Sequence, residues 1–321
     1  MKQRIVAVLG PTAVGKTEYA IRLAEDLGGE IVSCDSMQLY RYMDIGSAKA
    51  TPEEQKRVPH HMIDVADPRE PFSAARYKLL AEDAIEDIAG RGKLPIITGG
   101  TGLYLDALLF DLDFAAEPER DPKIREELYA IAENQGPEAL HRILTEEDPA
   151  AAARIHPHNI KRVVRAIESA RAGEKIRDFA TELTYSDRYD PLIVGLFRDR
   201  EELYDRIDRR VDLLLEQGLV EEVRRLSEMG LTEEDISMKG IGYKELFPYL
   251  RGECSLEEAA DLIKKNTRHY AKRQGTWLKR YQNMQRFDLS AYPNGEAALE
   301  EIETWLKSAL SSTTKATNPT T

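Results

Sequence analysis

Short apolar runs alternate with longer amphipathic segments along this chain, and the alternation predicts its fold. Runs rich in Ile, Val and Leu are typical of buried strands, and the segments between them are long enough for crossover helices. The five runs interpreted as strands are RIVAVLG, EIVSCDS, HHMIDVA, LPIITGG and PLIVGLF. Strands that are joined through helices pair in parallel, so the pattern predicts an α/β core with helices flanking the sheet.

One interval between predicted strands is far longer than the others. Roughly ninety residues separate LPIITGG from PLIVGLF, too many for an ordinary loop, so they predict a structured insertion. Its periodicity is mostly helical, with RDPKIREELYAIAENQG and NIKRVVRAIESARAG as the clearest helices. The expected parts are a discontinuous core of residues 1–113 and 191–310, an inserted helical domain of residues 114–190, and a disordered tail of residues 311–321.

Composition narrows the class of protein. Hydrophobic residues make up 42% of the 321 residues, enough for a substantial core. The net charge of −12 argues against a protein that coats nucleic acid through its overall charge, although local basic surfaces are compatible with it. Two cysteines, Cys34 and Cys254, are too few for a disulfide framework, so a reducing, cytoplasmic setting is expected. No segment approaches membrane-spanning length, and no membrane partner is expected.

The first predicted strand leads into GPTAVGKT, which matches the phosphate-binding pattern G-x-x-x-x-G-K-[ST]. In such a loop, backbone N–H groups surround a phosphate chain, the Lys reaches the terminal phosphates and the Thr hydroxyl binds Mg²⁺. A helical segment follows at once, so the expected fold class is a P-loop NTPase-like parallel sheet with an inserted, mostly helical domain. The predicted phosphate-binding residues are Gly10, Pro11, Thr12, Ala13, Val14, Gly15, Lys16 and Thr17.

Many phosphate-loop enzymes carry an Asp at the end of a second strand, where it helps to hold Mg²⁺. The best strand of that kind here ends in TGGTG, residues 98–102, without an acid. The nearest substitute is Asp35 after the strand EIVSC, at the carboxyl edge of the sheet where α/β proteins bind ligands. Asp35 is therefore the leading catalytic candidate. The alternative is a turn or cap Asp beside Ser33 and Ser36.

Two segments depart from the acidic average. RIHPHNIKRVVRAIESARAGEKIR has seven basic residues against two acids, and KKNTRHYAKRQGTWLKRYQNMQR has eight against none. Tyr270, Trp277 and Tyr281 lie among the basic residues of the second segment. Positive charge interleaved with aromatic rings suits a nucleic-acid backbone whose bases are available for stacking. A solvated basic helix that balances acidic neighbours is the alternative for both segments.

Arg206 and Arg210 are four residues apart in YDRIDRRVDLLL, so both lie on one side of a helix whose buried stripe includes Leu203 and Ile207. From there they could reach a phosphate. Surface salt bridges with the neighbouring Asp residues are the alternative.

Two further features have a less specific chemistry. His60 and His61 have no partner cluster that would complete a metal site, which favours structural or hydrogen-bonding histidines. The segment MKGIGYKE has two closely spaced glycines and reads as a tight turn that opens a helix. Its chemistry alone does not decide between a turn and a contact loop.

Together these motifs resemble those of one family, the tRNA dimethylallyltransferases, also called tRNA isopentenyltransferases. A phosphate loop alone is weak support, whereas SxDSxQxY, GGTGLY and YAKRQxTW together are highly specific. Val14 and Leu278 depart mildly from the commonest pattern, and no zinc-finger extension of the eukaryotic kind follows, so a bacterial-type enzyme is expected. The matching segments, in family order, are GPTAVGKT, SCDSMQLYRYMDIGSAK, VPHHMID, GGTGLYLDALL, HPHNIKRVVRAIE, MKGIGYKE and TRHYAKRQGTW.

The resemblance implies transfer of a dimethylallyl group from its diphosphate to the exocyclic amine of the adenosine on the 3′ side of the tRNA anticodon. The phosphate loop would hold the diphosphate of this prenyl donor, and the bond broken would join carbon to oxygen. The resemblance assigns Lys16 and Arg210 to the diphosphate, Asp35 to the role of general base and Thr101 to the same amine. Mg²⁺ at Thr17 is the implied cofactor.

The implied partners are dimethylallyl diphosphate and the tRNA anticodon stem-loop, and a monomer is expected. The inserted domain would close over the tRNA. The residues carried over as tRNA contacts are Asp35, Ser36, Met37, Gln38, Thr101, Lys123, Asn159, Ile160, Lys161, Arg162, Val163, Gly240, Ile241, Gly242, Tyr243, Lys244, Glu245, Lys272, Arg273, Gln274 and Trp277.

Three other functions compete with this interpretation. The related adenylate isopentenyltransferases need the same loop and acid but act on free nucleotides, whereas the basic aromatic helix and the large insertion favour tRNA. A nucleotide-type kinase is favoured by the loop and disfavoured by the missing strand-end acid. An RNA-binding NTPase would hydrolyse nucleotide in the presence of RNA without prenyl transfer.

Overall fold

The computed structural model describes residues 2–112, 122–173 and 183–312. The chain forms two compact units, one of Met1–Asp111 together with Tyr185–Thr321, and one of Leu112–Thr184. The second unit ends six residues before the end of the predicted insertion, because Tyr185 already forms a bridge with Phe110 of the first unit. The predicted tail lies largely outside the described residues, since the last helix ends at Ser312.

The first unit is built on a parallel sheet with strand order β3-β2-β4-β1-β5-β6. All of its paired strands run in the same direction, so the loops that follow β2, β4 and β1 meet at one edge. The strands are β1 (Gln3–Leu9), β2 (Gly29–Ser33), β3 (His60–His61), β4 (Leu94–Gly99), β5 (Tyr189–Phe197) and β6 (Gln285–Asp288).

Helices connect these strands and make up most of the second unit. Residues 5–9 of β1 are almost completely buried, as expected for a parallel strand that is covered on both faces. The helices are α1 (Lys16–Leu27), α2 (Pro52–Arg57), α3 (Ala74–Gly90), α4 (Gly102–Leu109), α5 (Pro122–Gln135), α6 (Pro137–Glu147), α7 (Pro149–Ala152), α8 (Ile160–Arg171), α9 (Arg200–Glu216), α10 (Leu219–Glu228), α11 (Leu246–Leu250), α12 (Leu256–Leu278) and α13 (Gly295–Ser312).

The longest helix, α12, contains the basic and aromatic segment and has a well-defined start. The Ser255 hydroxyl accepts a hydrogen bond from the N–H of Glu258, and the Glu258 carboxylate accepts one from the N–H of Ser255. This capping box satisfies backbone donors that the first turn of a helix leaves unpaired. The sequence therefore sets where α12 begins.

The second unit is a small helical body with its own core. Helices α5, α6 and α8 bury Leu128, Leu140, Leu144, Val163 and Ile167 against one another. Apolar residues recur along α8 at the spacing of one helical face, which explains why the same helix buries that face and exposes its basic residues.

The predicted fold class, an α/β fold with a parallel sheet and an inserted, mostly helical part, is confirmed. One predicted strand is mostly wrong: in HHMIDVA only His60–His61 pairs with the sheet. Met62 and Asp64 adopt left-handed backbone conformations (φ 64° and 55°), which end an extended strand. Strand β6 was not predicted, because only Phe287 of its four residues is buried and the pattern is too short to recognise.

Candidate active site

The phosphate loop joins β1 to α1 and adopts the backbone conformation that its glycines predict. Gly15 has φ 115°, and Ala13 has a left-handed φ of 63°, which non-glycine residues rarely adopt. Alternation of right-handed and left-handed residues forms the concave backbone surfaces whose N–H groups bind anions. The loop is therefore shaped as an anion site before any ligand arrives.

Lys16, the last-but-one residue of the motif, is half-buried in the same cleft. Its ammonium donates to the carbonyl oxygen of Pro11 at 2.9 Å. The pKa of Lys16 is lowered to about 8, first by burial and then by the positive charge of Arg210, while the Asp35 carboxylate opposes the shift. An anion bound beside Lys16 would favour the charged form of its ammonium and so oppose the lowering of its pKa.

Arg198, just after β5, and Arg206 of α9 donate to carbonyl oxygens on the outer side of the phosphate loop. Arg206 Nε donates to the carbonyl oxygen of Ala13 at 2.9 Å, and Arg198 Nε donates to that of Val14 at 3.0 Å. Arg210 is half-buried one helical turn beyond Arg206, and burial lowers its pKa while Asp35 opposes the change. These cations surround the loop with positive charge that suits a diphosphate.

The alternative interpretation of Arg206 and Arg210, surface salt bridges with adjacent Asp residues, is wrong. Asp208 instead pairs with Arg268 of α12, and Asp212 pairs with Lys264. Among the described residues, neither Arg206 nor Arg210 has a carboxylate oxygen within 4 Å.

Asp35 lies in the turn after β2, beside Thr101 in the loop after β4. One carboxylate oxygen of Asp35 accepts from the N–H of Met37 at 2.8 Å. The Thr101 hydroxyl accepts from the N–H of Ser36 at 2.9 Å and lies 3.2 Å from the Ser36 hydroxyl. The alternative interpretation of Asp35 as a turn residue therefore applies to one of its carboxylate oxygens, Oδ1. The other makes no hydrogen bond within the described chain, and Asp35 lines the same cleft as Lys16 and Arg210.

Helix α12 bridges the two loops at the sheet edge through Gln274. The side-chain oxygen of Gln274 accepts from the N–H of Thr12 at 2.8 Å, and its Nε2 donates to the Gly100 carbonyl at 2.9 Å. The Tyr270 hydroxyl donates to the same carbonyl at 3.1 Å. Gln274, which the sequence assigns to tRNA, is thus a buried link between the phosphate loop and the loop that contains Thr101.

Trp277 packs against the start of α4 rather than standing free. A Cβ built on Gly102 would lie 2.4 Å from the indole nitrogen, so only glycine leaves room for the ring. The indole N–H donates to Asp106 at 3.3 Å, and the Arg280 guanidinium lies 3.8 Å from the ring centroid.

Asp106 is buried, also accepts from Arg280 and Tyr281, and has its pKa raised by burial. The sequence signal for it was a lone acid within the apolar run LYLDALL.

The basic segment of α12 is only partly free to bind a partner. Lys264, Arg268 and Arg280 are each paired with an acid from another element, as the alternative of a basic helix that balances acidic neighbours predicts. Lys272 and Arg273 are exposed, and the Arg273 guanidinium lies 5.6 Å from the centroid of the Tyr270 ring. These two residues form the basic surface beside the cleft.

The cleft has a volume of about 910 Å³ and mixes charged with apolar lining. Its charged side is the phosphate loop with the neighbouring arginines. Its apolar side includes Tyr40, Phe72, Tyr104, Ile236 and Ile241. Such a cleft fits a ligand with a phosphorylated end and a hydrocarbon or planar end.

The segment MKGIGYKE forms a turn before α11, and two of its four assigned side chains, those of Tyr243 and Glu245, are buried. Tyr243 is completely buried. The Glu245 carboxylate accepts from the N–H of Gly242 at 2.8 Å and from the Asn266 side chain at 2.7 Å. The side chains of Tyr243 and Glu245 are therefore unavailable for direct contact with tRNA, and Lys244 is the exposed residue of the turn.

In the second unit, the start of α8 presents most of the predicted residues to solvent. Asn159, Lys161, Arg162 and, on α5, Lys123 are exposed, and Ile160 is half-buried. Val163 is completely buried in the core of the unit, so its side chain is not exposed to a partner. The basic residues of the first basic segment that follow α8, Lys175 and Arg177, lie outside the described residues.

The residues present fit a single magnesium ion held mainly by a bound diphosphate. The Thr17 hydroxyl is exposed at the cleft and makes no hydrogen bond in the described part of the chain. Residues 2–112, 122–173 and 183–312 contain no group of three or more His, Cys, Asp or Glu side chains that could hold a metal on their own. Mg²⁺ is usually held by one or two protein oxygens plus substrate phosphates.

The histidine pair serves structure, as expected. His61 Nε2 lies 2.8 Å from the buried carboxylate of Glu30, which also accepts from Arg91 and Lys93. His60 Nδ1 lies 2.7 Å from the carbonyl oxygen of Val58.

Fold and site together define a P-loop-type α/β protein whose cleft pairs an anion site with a nearby carboxylate. Comparison with known proteins identifies the family. The family model described as IPP transferase matches residues 38–281, and the one described as Isopentenyl transferase matches residues 3–68. The chain therefore belongs to the IPP transferase family.

Individual relatives agree over nearly the whole chain. The tRNA dimethylallyltransferase of Alkaliphilus oremlandii is 51% identical over 94% of this chain and 96% of its own length. The full-length tRNA isopentenylpyrophosphate transferase of Bacillus halodurans superposes with a TM-score of 0.73 at 43% identity, covering 98% of this chain and 99% of that one. A eukaryotic dimethylallyltransferase acting on tRNA superposes with a TM-score of 0.81 at 30% identity, covering 96% and 80%.

Across the described residues, none of the helices combines the length and the apolar character that crossing a membrane requires.

Proposed function

We propose that this protein transfers the dimethylallyl group of dimethylallyl diphosphate to the exocyclic amine of the adenosine 3′-adjacent to the anticodon in tRNA, releasing pyrophosphate. The observation that carries the proposal is one cleft lined by Lys16 and Arg210 together with Asp35, in a chain of the IPP transferase family. An anion site for a leaving group and a carboxylate for a proton are the two requirements of this reaction.

On the donor side, the carbon–oxygen bond of the allylic diphosphate breaks and negative charge grows on the leaving oxygens. Backbone N–H groups of the phosphate loop, the Lys16 ammonium and the Arg210 guanidinium would stabilise that charge. The carbonyl-directed bonds of Arg206 and Arg198 keep the loop in shape. Lys16 exchanges its internal acceptor, the Pro11 carbonyl, for a diphosphate oxygen.

The Thr17 hydroxyl would hold Mg²⁺ beside the diphosphate. When bound, that ion supplies further charge neutralisation for the leaving group.

On the acceptor side, Asp35 accepts the proton of the adenine amine as the new carbon–nitrogen bond forms. The amine is a poor nucleophile because its lone pair is delocalised into the ring, so a positioned base contributes substantially. Met37 N–H orients one carboxylate oxygen of Asp35 and leaves the other for the substrate. The Thr101 hydroxyl is placed to contact the same amine. The adenosine must leave its stack to enter this cleft.

The tRNA contacts divide into two sets. The first unit offers Ser36, Met37, Gln38, main-chain atoms of residues 240–242, Lys244, Lys272, Arg273 and Trp277. The second unit offers Lys123, Asn159, Ile160, Lys161 and Arg162, with residues 114–190 acting as the tRNA-binding domain. A monomer is sufficient for this function because one chain supplies every proposed group, and the cytoplasm is the compartment in which tRNA is available.

The test is incubation of the protein with Mg²⁺, radiolabelled dimethylallyl diphosphate and unmodified tRNA, followed by nucleoside analysis. Label is expected on the adenosine 3′ to the anticodon. Asp35→Asn should abolish it, whereas Asp205→Asn, the same change at an exposed position of α9, should not. Faster prenylation of AMP than of an anticodon stem-loop would favour an adenylate isopentenyltransferase. ATP consumption without transfer of label would favour a kinase or an NTPase.

A further inference from the structure

We infer that Glu222, a residue outside the cleft, is a positioning residue that holds residues 44–46 in register with the turn of residues 240–245, where tRNA contacts are proposed. This inference rests on the proposed function and extends it to a residue of helix α10. Glu222 is 1% exposed, although its neighbours on the buried face of α10 are the apolar residues Leu219, Val223 and Leu226.

The carboxylate of Glu222 is satisfied almost entirely by one strip of backbone. Oε2 accepts from the N–H groups of Asp44 at 2.9 Å and Ile45 at 2.8 Å, and Oε1 accepts from that of Gly46 at 2.9 Å. Three consecutive N–H groups that converge on one carboxylate fix the path of residues 44–46. No Lys, Arg or His of the described chain forms an ion pair with Glu222, so backbone donors replace a counter-charge.

The same carboxylate reaches the second part through Tyr243. The Tyr243 hydroxyl donates to Oε1 of Glu222 at 2.8 Å. The Tyr243 ring in turn covers Gly46, where an added Cβ would lie 2.5 Å from the ring carbon Cζ. Residues 44–46 and the turn of residues 240–245 are therefore joined both by a shared acceptor and by direct packing.

A chain of contacts continues from residues 44–46 to the turn that contains Asp35. The amide Nε2 of Gln38 donates to the carbonyl of Ala48 at 3.2 Å, while its oxygen accepts from Ser33 at 2.8 Å. On the other side, the side chain of Met37 occupies the space above Gly240, within 2.6 Å of an added Cβ. Glu222 is thus connected to both faces of the turn at residues 35–38 without touching the cleft.

Backbone strain explains why this region needs a buried carboxylate. Tyr42 and Ala48, on either side of residues 44–46, both have left-handed backbones, with φ 69° and 45°. Non-glycine residues keep such conformations only when the surroundings impose them. Lys49, buried against Asp44, Asp64 and the Tyr40 carbonyl, restrains the same segment from its other side. A buried network of this kind specifies one geometry when every member is satisfied.

The test compares Glu222→Gln with Glu228→Gln, the same change at an exposed position of the same helix. A Gln amide presents an NH₂ to donors that need an acceptor, so Glu222→Gln breaks about half of the contacts. We expect the dissociation constant for an anticodon stem-loop to rise about tenfold, and that for dimethylallyl diphosphate to change less than twofold. Hydrogen exchange of the N–H groups of residues 44–46 should accelerate. Glu228→Gln should change none of these.

Tyr243→Phe keeps the inference testable if Glu222→Gln fails to fold. It removes one of four hydrogen bonds and should weaken stem-loop binding by about threefold with the donor constant unchanged. Equal losses for both substrates, or unchanged binding in a variant whose residues 44–46 exchange faster, would overturn the positioning role. Wild-type protein that transfers no label would refute the proposed function, while the exchange measurement would still test whether Glu222 orders this segment.

Discussion

Two sides of the cleft use the hydrogen bond in opposite directions. On the phosphate-loop side, the side chains of Lys16, Arg198 and Arg206 donate to backbone carbonyls of residues 11, 14 and 13. These bonds occupy carbonyls of the loop rather than its N–H groups, of which that of Thr12 donates to Gln274. Positively charged side chains and backbone N–H groups lie together on this side, so it is suited to binding an anion.

On the other side, carboxylates accept from the backbone. Asp35 binds the N–H of residue 37, Glu222 binds those of residues 44–46, and Glu245 binds that of residue 242. Backbone donors are consumed there, so this side offers little to a second anion and keeps acidic groups close to the cleft. Under the proposed function, this difference would orient the donor, with its diphosphate on the cationic side and its reacting carbon toward Asp35.

Replacement of Asp35, the proposed base, should have the largest effect on the rate of prenyl transfer. It tests directly whether the two sides of the cleft have different roles. Asp35→Ala should lower the single-turnover rate of prenyl transfer by roughly two to four orders of magnitude, because a positioned general base contributes about that much. The measurement is rapid quench with saturating labelled donor and tRNA. Unchanged chemistry would mean that the carboxylate side has only a structural role.

Removing the loop ammonium should affect the other side alone. Lys16→Ala should lower kcat/KM for the donor by roughly ten- to a hundredfold, the value of one charged hydrogen bond, and should leave the tRNA dissociation constant nearly unchanged. Initial rates at varied donor concentration give kcat/KM, and calorimetry gives the tRNA dissociation constant. An equal loss for both substrates would indicate misfolding rather than a lost anion contact.

Donor affinity should depend on pH through the same residue. The pKa of Lys16 is lowered to about 8, so the ammonium is charged below that pH and is lost as the pH rises above it. Because the diphosphate favours the charged form, the donor dissociation constant should rise up to about tenfold per pH unit above 8. Titrations between pH 7 and 9.5 measure this, with Lys16→Met as the comparison. If the donor dissociation constant depends on pH in the same way in wild type and in Lys16→Met, Lys16 does not bind the diphosphate.

Changes to the basic surface beside the cleft should have the smallest effect on binding. They test whether the anion-binding side extends to Lys272 and Arg273. Replacing Lys272 and Arg273 by Ala should weaken tRNA binding several-fold and reduce the slope of log K against log salt by about 1 to 2, since each phosphate contact releases roughly one counterion. Donor binding should not change. An unchanged salt slope would show that α12 faces no phosphates.

The sequence by itself determined the local features of this protein. The phosphate loop, its strand and its helix are contiguous patterns, and they were predicted because neighbouring residues set neighbouring backbone angles. Asp35, Lys16, Arg210 and Thr101 were likewise named from sequence, and they lie around one cleft or, for Thr101, in direct contact with the Asp35 turn.

Only the tertiary structure decided which of these residues are held, and by what. Gln274 bonds to a loop residue 262 positions away, Asp106 to an indole 171 positions away, and Glu222 to a glycine 176 positions away. The tertiary structure also buries the side chains of Tyr243 and Glu245, which the sequence motif does not reveal. Contacts between distant segments depend on how sheet and helices pack, and no short stretch of sequence contains that information.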